Sequence, residues 1–454
     1  MTFESETVTG QLTHPTRLVP LAFLFAITLG TILLMLPIAR TEGEFTPFLT
    51  ALFTATSAVC VTGLIVVDTP VYWSSFGQGV ILVLFQIGGF GIMAAATLLG
   101  LLAGRGFRLS DRLRTQTERS HFDMSDGGSV LRLILLVTVV VEGLLTLMLT
   151  LRLHFFYGHD WGSAAWHGLF HAVSAFNNAG FSTYSDSLMG FQKDWLILLP
   201  IMVAIIFSSL GFPVIHEMRH RLGRKRAGPQ NWTLHSKITL WGTAILLFVG
   251  FVTVLLVEWQ NPATLGPMGI ADKLLNSAFQ SVTTRTTGFN ALDTSALSDE
   301  TLAVTYVLMF IGGGSAGTAG GIKVTTFFIL GIVVWSEAKG EREAAMFGRS
   351  IGTPIERQAL TVVLLSLSLI ALGTMTILSV TEHSLTDVLF ETISAFATVG
   401  LSTGITGQLP PLAELVLIVL MFVGRVGTIT IATALAIGRG RNAFRYPEER
   451  VIVG

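Results

Sequence analysis

The chain has 454 residues, of which 51% are hydrophobic and only 13% charged, with a formal net charge of −1. A soluble domain carries about a quarter charged residues, so composition argues against a water-soluble globular fold, and the near-zero charge argues against a nucleic-acid partner. The single cysteine, Cys60, cannot form an intrachain disulfide and says little about redox compartment.

Residues 1–17 are read as a polar cytoplasmic N-terminus. Glu4 and Glu6 stand where a cleaved signal would be basic, so the first apolar run is expected to stay as a membrane span. Eight long apolar runs follow, at about 18–39, 74–103, 129–154, 193–216, 236–257, 301–335, 358–380 and 412–438. A span needs roughly 20 apolar residues to cross about 30 Å of hydrocarbon, and each run qualifies by length. Within each pair of runs lies a shorter amphipathic stretch ending in a glycine-containing loop. Such a stretch is too short to span, and extended backbone at membrane depth is tolerated only inside protein or along a watery path. The expected fold is therefore an all-α polytopic membrane protein of four tandem helix–pore loop–helix repeats around one central pore. Its parts would be repeat 1 at 18–103, repeat 2 at 129–216, repeat 3 at 236–335, repeat 4 at 358–438, and a cytoplasmic tail at 439–454.

Charge fixes the expected orientation. Arg105, Arg108, Arg112, Arg114 and Arg119 join runs two and three; Arg219, Arg221, Arg224, Lys225 and Arg226 join runs four and five. Lys339, Arg342, Arg349 and Arg357 follow run six, and Arg439, Arg441, Arg445 and Arg450 close the chain. The positive-inside rule then puts both termini in the cytoplasm and all four re-entrant loops on the outside. Acids gather on that outer side: Glu42, Glu44, Asp160, Asp186, Asp293, Asp299, Glu300, Glu382 and Asp387.

The four re-entrant stretches read FTATSAVCVTGL (53–64), FHAVSAFNNAGF (170–181), FQSVTTRTTGF (279–289) and FETISAFATVGL (390–401). Each opens on Phe, has Ser or Thr in its middle, and ends in Gly followed by Leu or Phe. The third is one residue shorter. The glycines Gly63, Gly180, Gly288 and Gly400 recur 117, 108 and 112 residues apart; such self-similarity identifies a repeat architecture. Half-helices aimed at a common axis present their negative C-terminal ends to a dehydrated cation. The loops after them can offer carbonyls in place of its water shell, which requires residues tolerant of positive φ.

The segments SAVCVTGL, SAFNNAGFST, TTRTTGFNALD and SAFATVGLSTG resemble the four pore loops of the KtrB/TrkH/HKT superfamily of potassium transporters, and eight runs with no extra pair look most like the KtrB branch. The resemblance covers nearly the whole chain. It implies a filter of Val61, Thr62 and Gly63, of Asn178, Ala179 and Gly180, of Thr286, Thr287 and Gly288, and of Thr398, Val399 and Gly400. Some sodium-carrying plant relatives have Ser at the first glycine, so Gly63 implies potassium selectivity. The family also implies a homodimer resting on a cytoplasmic ring of KtrA-type nucleotide-binding subunits, surrounded by membrane lipids in a bacterial inner membrane. It implies no enzyme activity and no cofactor, with potassium as substrate and sodium as a candidate activator.

Three further features stand out. Gly312, Gly313, Gly314, Ser315, Ala316, Gly317, Thr318, Ala319, Gly320 and Gly321 interrupt the sixth run; a helix through them loses about 1 kcal/mol at each Gly relative to Ala. A mid-membrane break is expected there, against the plainer reading of close helix packing through small residues. The resemblance makes this break an obstructing loop beneath the filter. Arg425 lies within the eighth run, where a charge is costly; the family places an arginine toward the gate, and the plainer reading pairs it with a bundle carboxylate such as Glu142. Arg285 is read as a brace for nearby carbonyls. The stretch His216-Glu217-Met218-Arg219-His220 fits the H-E-x-x-H zinc motif, but its basic members are explained by a positive-inside flank. The competing functions are a secondary solute transporter with broken helices and an intramembrane zinc protease.

Overall fold

The computed structural model describes residues 15–105, 127–222, 232–341 and 343–427. Repeat 1 consists of α1 (Pro15–Met35), the short α2 (Phe48–Val59) and α3 (Ser75–Arg105). In repeat 2, α4 (Gly127–Tyr157) and the short α5 (Trp161–Asn177) precede α6 (Trp195–Ser209) and α7 (Phe212–Leu222). Repeat 3 runs through α8 (Leu234–Val257), the short α9 (Ile270–Thr283), α10 (Asp299–Phe310) and α11 (Val324–Ala338). A two-residue antiparallel ribbon, Ala345–Met346 with Arg349–Ser350, leads into repeat 4. That repeat has α12 (Thr353–Leu378), the short α13 (Leu385–Ala397), α14 (Pro411–Phe422) and a π-helical turn at Val423–Gly427.

Among the described residues five helices are long and apolar enough to cross a membrane singly. Their outward faces are apolar: Phe25 is 71% exposed, Phe248 67% and Met375 70%. Water would penalise such a surface, whereas lipid does not. The other three expected runs depart from a single straight helix. The sixth breaks between α10 and α11, as expected. The fourth, read as continuous over 193–216, breaks at Leu210–Gly211, and α6 and α7 meet at 99°. Gly211 carries φ +90° there, a conformation open mainly to glycine. The eighth is described only as far as Gly427, and the remainder of that run, the tail at 439–454 and residues 1–14 lie outside the described residues.

Packing closes the repeats into a cycle. The second long helix of each repeat lies against the short helix of the next: α3 on α5, α6 on α9, α10 on α13, and α14 back on α2. At the centre, the leading phenylalanines Phe53, Phe170, Phe279 and Phe390 are fully buried. Caps start the short helices where the turn requires them. Asp160 accepts from the Ser163 N–H and Ser384 from the Asp387 N–H, each satisfying one of the donors a helix start leaves free. The Ser163 amide also holds the Asp160 carboxyl below the usual carboxylate range. The buried Glu258 ties α8 to the start of α10, accepting from Asn261, Thr264, Thr301 and both the N–H and hydroxyl of Ser298.

Candidate functional site: a ring of four loops over a glycine-rich floor

Each short helix ends at the centre and gives way to its glycine loop. The mid-helix hydroxyls do the same work in every repeat. Ser57 donates to Leu64 O at 2.7 Å, Ser174 to Phe181 O at 2.9 Å and Thr283 to Phe289 O at 2.8 Å. In repeats 1 and 4 the Ser57 and Ser394 hydroxyls accept from the N–H of Gly63 and Gly400, at 3.1 Å each. The returning strand of each loop is thereby tied to its own helix.

A second tie explains the shortened third loop. The N–H just before the glycine reaches back to the carbonyl of that same Ser or Thr: Thr62 to Ser57, Ala179 to Ser174 and Val399 to Ser394, at 2.8 Å each. In repeat 3 Thr287 reaches Thr283 O at 3.1 Å across a turn one residue tighter. The deletion is absorbed inside this turn, and the register beyond it is kept.

Backbone hand shows that register. Val61, Asn178, Thr286 and Thr398 all have positive φ, as do Gly63, Gly180, Gly288 and Gly400, while the residue between each pair does not. Alternating hand turns successive peptide carbonyls to the same side. Non-glycine residues in the left-handed region cost about 1–2 kcal/mol each, so four of them at equivalent positions mark a conformation the fold imposes.

The loops also touch in a cycle. A methyl built on Gly63 would lie 2.5 Å from Ala179 O, and one on Gly180 would lie 2.2 Å from Thr287 O. One on Gly288 would lie 2.4 Å from Val399 O, and one on Gly400 would lie 2.1 Å from Thr62 O. Each glycine therefore seats the backbone of the next repeat, and the fourth returns to the first. All twelve residues singled out from the sequence come together here.

On one side of the ring a cavity of about 320 Å³ opens, lined by Gly63, Gly288, Gly400 and three carboxylates, Asp68, Asp186 and Asp293. Asp68 was missed in the sequence because it stands outside the repeat signature. Not all of the outer acids serve this mouth. Glu42 and Glu44 pair with Arg40, and Asp387 accepts from the Ser384 hydroxyl.

On the other side lies residues 312–321, an irregular segment whose edges are zipped by Gly312 N–H to Ile322 O (2.8 Å) and Val324 N–H to Gly313 O (3.1 Å). It docks into the break of the preceding repeat. Gly314 donates to Ser209 O at 2.7 Å, and Phe212 donates to Ala316 O at 3.2 Å. Two interrupted helices thus satisfy each other's freed backbone groups, the requirement for irregular backbone at this depth. The segment reaches the ring directly: a methyl on Gly312 would lie 3.3 Å from Thr286 Cγ2, and one on Gly320 would lie 2.6 Å from Ala397 O.

Three cationic side chains hold this floor. Arg285, placed in the third loop, donates to Gly312 O at 3.0 Å and Thr243 O at 3.4 Å; it braces carbonyls. Arg425, 2% exposed, donates through Nη1 to Thr318 O, while its Nε and Nη2 find no partner among the described residues. It does not pair with Glu142, which bonds Gln86 and Asn177 instead. Lys323, to which the sequence drew no attention, donates to Ala319 O. The H-E-x-x-H stretch is occupied structurally: Glu217 accepts from Thr233 and Ser236 at the start of α8 and pairs with Arg221.

Comparison with known proteins agrees with this architecture. The TrkH family, described as a cation transport protein, matches residues 5–444. The chain is 39% identical to Ktr system potassium uptake protein B of Bacillus subtilis, over 97% of each chain. It is 38% identical to the potassium/sodium uptake protein NtpJ of Enterococcus hirae, again over 97% of each. The crystal structure of the potassium transporter TrkH from Vibrio parahaemolyticus shares the fold, with a TM-score of 0.69 at 17% identity over 90% of this chain and 84% of that one. The chain belongs to the TrkH family of cation transport proteins.

Proposed function

We propose that the chain is the potassium-translocating membrane subunit of a bacterial uptake system, and that the ion passes through the ring of four loops. The observation that carries this reading is the closed cycle of glycine-to-carbonyl contacts with the same alternating hand in every loop. Such a ring offers stacked carbonyl oxygens to a dehydrated monovalent cation, and four helix C-termini add negative potential around it. Potassium is favoured over other cations by Gly63 and by the relatives, which are described as potassium and as potassium/sodium uptake proteins. The carboxylates of Asp68, Asp186 and Asp293 raise the local cation concentration at the mouth.

In this reading residues 312–321 and Arg425 form the gate. The segment obstructs the path sterically. Arg425 adds charge: at 4 Å and an effective dielectric of 20, a unit charge repels a cation by about 4 kcal/mol. Opening moves the segment away from Thr286 and Ala397 and releases Thr318 O from the guanidinium. Both termini face the cytoplasm, the subunit pairs with a second copy, and a KtrA-type nucleotide-binding ring docks on the basic cytoplasmic face. Sodium is the candidate activator. The test is potassium uptake in bacteria lacking their own uptake systems, with sodium as competitor. Uptake that prefers potassium supports the reading; absence of uptake at normal membrane yield, or no preference, contradicts it.

A further inference from the structure

Glu142 lies in the middle of α4, 8% exposed, and takes part in no ion pair among the described residues. The transport path proposed above makes no use of it. An isolated carboxylate inside a bilayer is expensive, so a carboxyl kept at this depth needs partners. Its partners belong to two other elements. Asn177, the last residue of α5, donates through Nδ2 to Glu142 Oε1 at 3.1 Å. Gln86 of α3 donates through Nε2 to Glu142 Oε2 at 3.3 Å, and Gln86 Oε1 in turn accepts from Asn177 Nδ2. The three side chains close a small polar circuit linking repeat 1 to both long and short helices of repeat 2.

The circuit sits directly behind the second loop. Asn177 precedes Asn178, the left-handed residue from which that loop departs. Asn178 is itself pinned from the far side, donating to Ser209 Oγ at 2.7 Å and accepting from Ser208 Oγ at 3.3 Å. A paired glycine makes the approach possible: methyls on Gly88 and Gly89 would lie 2.0 Å from Val59 O and 2.0 Å from Asn177 Oδ1. Hydrogen counting adds a constraint. Asn177 Nδ2 faces three acceptors, Gln86 Oε1, Glu142 Oε1 and Val173 O, with two hydrogens. Those two hydrogens are shared among the three acceptors, so Glu142 and Gln86 together orient the Asn177 amide.

We propose that Glu142, accepting hydrogen bonds at both carboxyl oxygens, is a positioning residue that holds the Asn177–Asn178 end of α5 and so fixes the width of the ring at its second loop. Glu142 touches no permeating ion; it acts through Asn177. This inference rests on the reading of the ring as the selective path.

The experiment uses the full-length protein in vesicles, measuring potassium and sodium flux per folded molecule. The wild type is measured first: if it does not discriminate, the reading of the ring fails rather than this inference. Glu142→Leu removes the carboxyl at similar volume and should reduce potassium-over-sodium discrimination about five- to tenfold, the factor of one lost buried hydrogen bond. Glu142→Gln keeps the shape and one acceptor oxygen but turns an amide N–H toward one of the two donors, and its discrimination should fall between wild type and Glu142→Leu. Asn177→Leu should match Glu142→Leu, and the double variant should be no worse than either, because the two act as one unit. Should Glu142→Leu fold poorly, Gln86→Leu at the half-buried corner of the circuit provides the same readout. Unchanged discrimination in the folded leucine variants overturns the proposal. So does a loss in the double variant equal to the sum of the two single losses, which would mean that Glu142 and Asn177 do not act as one unit.

Discussion

Ser57, Ser174, Thr283 and Ser394 each tie their loop back to its own helix, the first three by donating to the carbonyl after the glycine and Ser394 by accepting from the Gly400 N–H. Three residues before each ring glycine, the chain does something different every time. Cys60 is a buried free thiol. Asn177 joins a carboxyl–amide circuit, Arg285 reaches down to Gly312 O, and Ala397 is small enough to admit Gly320 and Gly321 against it. The difference follows from what each layer must hold. On the proposed path an ion on the axis of the ring would meet four walls, and equal walls need equal loops. Only one segment fits beneath that axis, so the layer facing it cannot keep the symmetry. Repeats 3 and 4 are shaped around that segment, and the broken helix of repeat 2 supplies its dock.

This contrast can be broken by substitution. The largest effect is expected in the ring, where all four glycines should behave alike. Gly63→Ser, Gly180→Ser, Gly288→Ser and Gly400→Ser each place a Cβ against a neighbouring carbonyl in a left-handed conformation costing about 1–2 kcal/mol. Potassium-over-sodium discrimination, read by competitive uptake, should fall about tenfold or more, since 1.4 kcal/mol is a factor of ten. One glycine that tolerates serine while the others do not would show that the ring is not equivalent around its axis.

The floor should instead respond unequally. Arg425→Ala removes the charge and the hold on Thr318 O, so flux per folded molecule should rise several-fold, as expected from removing a repulsion of up to about 4 kcal/mol that other barriers partly mask. Arg425→Lys should raise it less, because the charge remains. If both variants transport no faster than wild type at normal folded yield, the obstruction lies elsewhere. Next in size, Ala397→Val should disturb gating by crowding Gly321, whereas Cys60→Ala should leave flux nearly unchanged. Equal effects of these two would erase the asymmetry claimed for this layer. The smallest effect is expected from Ser174→Ala, which removes one buried tie and should lower thermal stability by about 1 kcal/mol, measured by unfolding in detergent; no change would deny the tie a structural role.

Most of the ring was legible in the sequence because symmetry writes itself as repetition. Phe, a hydroxyl and Gly return in the same order in every copy, the Phe buried, the hydroxyl tying the loop and the Gly seating the next loop. The break at 312–321 was legible because glycine at that density opposes a helix. The break at Leu210–Gly211 was not: a single glycine before Phe212 and Pro213 resembles an ordinary kink, and only docking against Ser315 and Ala316 makes it a corner. Lys323 and the Glu142–Gln86–Asn177 circuit were also illegible. The partners of the circuit lie on separate repeats, with nothing in sequence spacing to join Gln86 to Asn177, and Lys323 bonds a carbonyl of the irregular segment, Ala319 O, that a helical reading would not leave free. Asp68 was hidden because the mouth is lined by segments beyond the repeated core.

The most direct test of the ring is to locate the ion. Crystals or frozen samples prepared in rubidium, an electron-dense stand-in for potassium, should show density on the axis enclosed by the Thr62, Ala179, Thr287 and Val399 carbonyls, and that density should weaken when sodium replaces rubidium. Rubidium bound only away from these carbonyls, or sodium bound there equally well, would contradict the account.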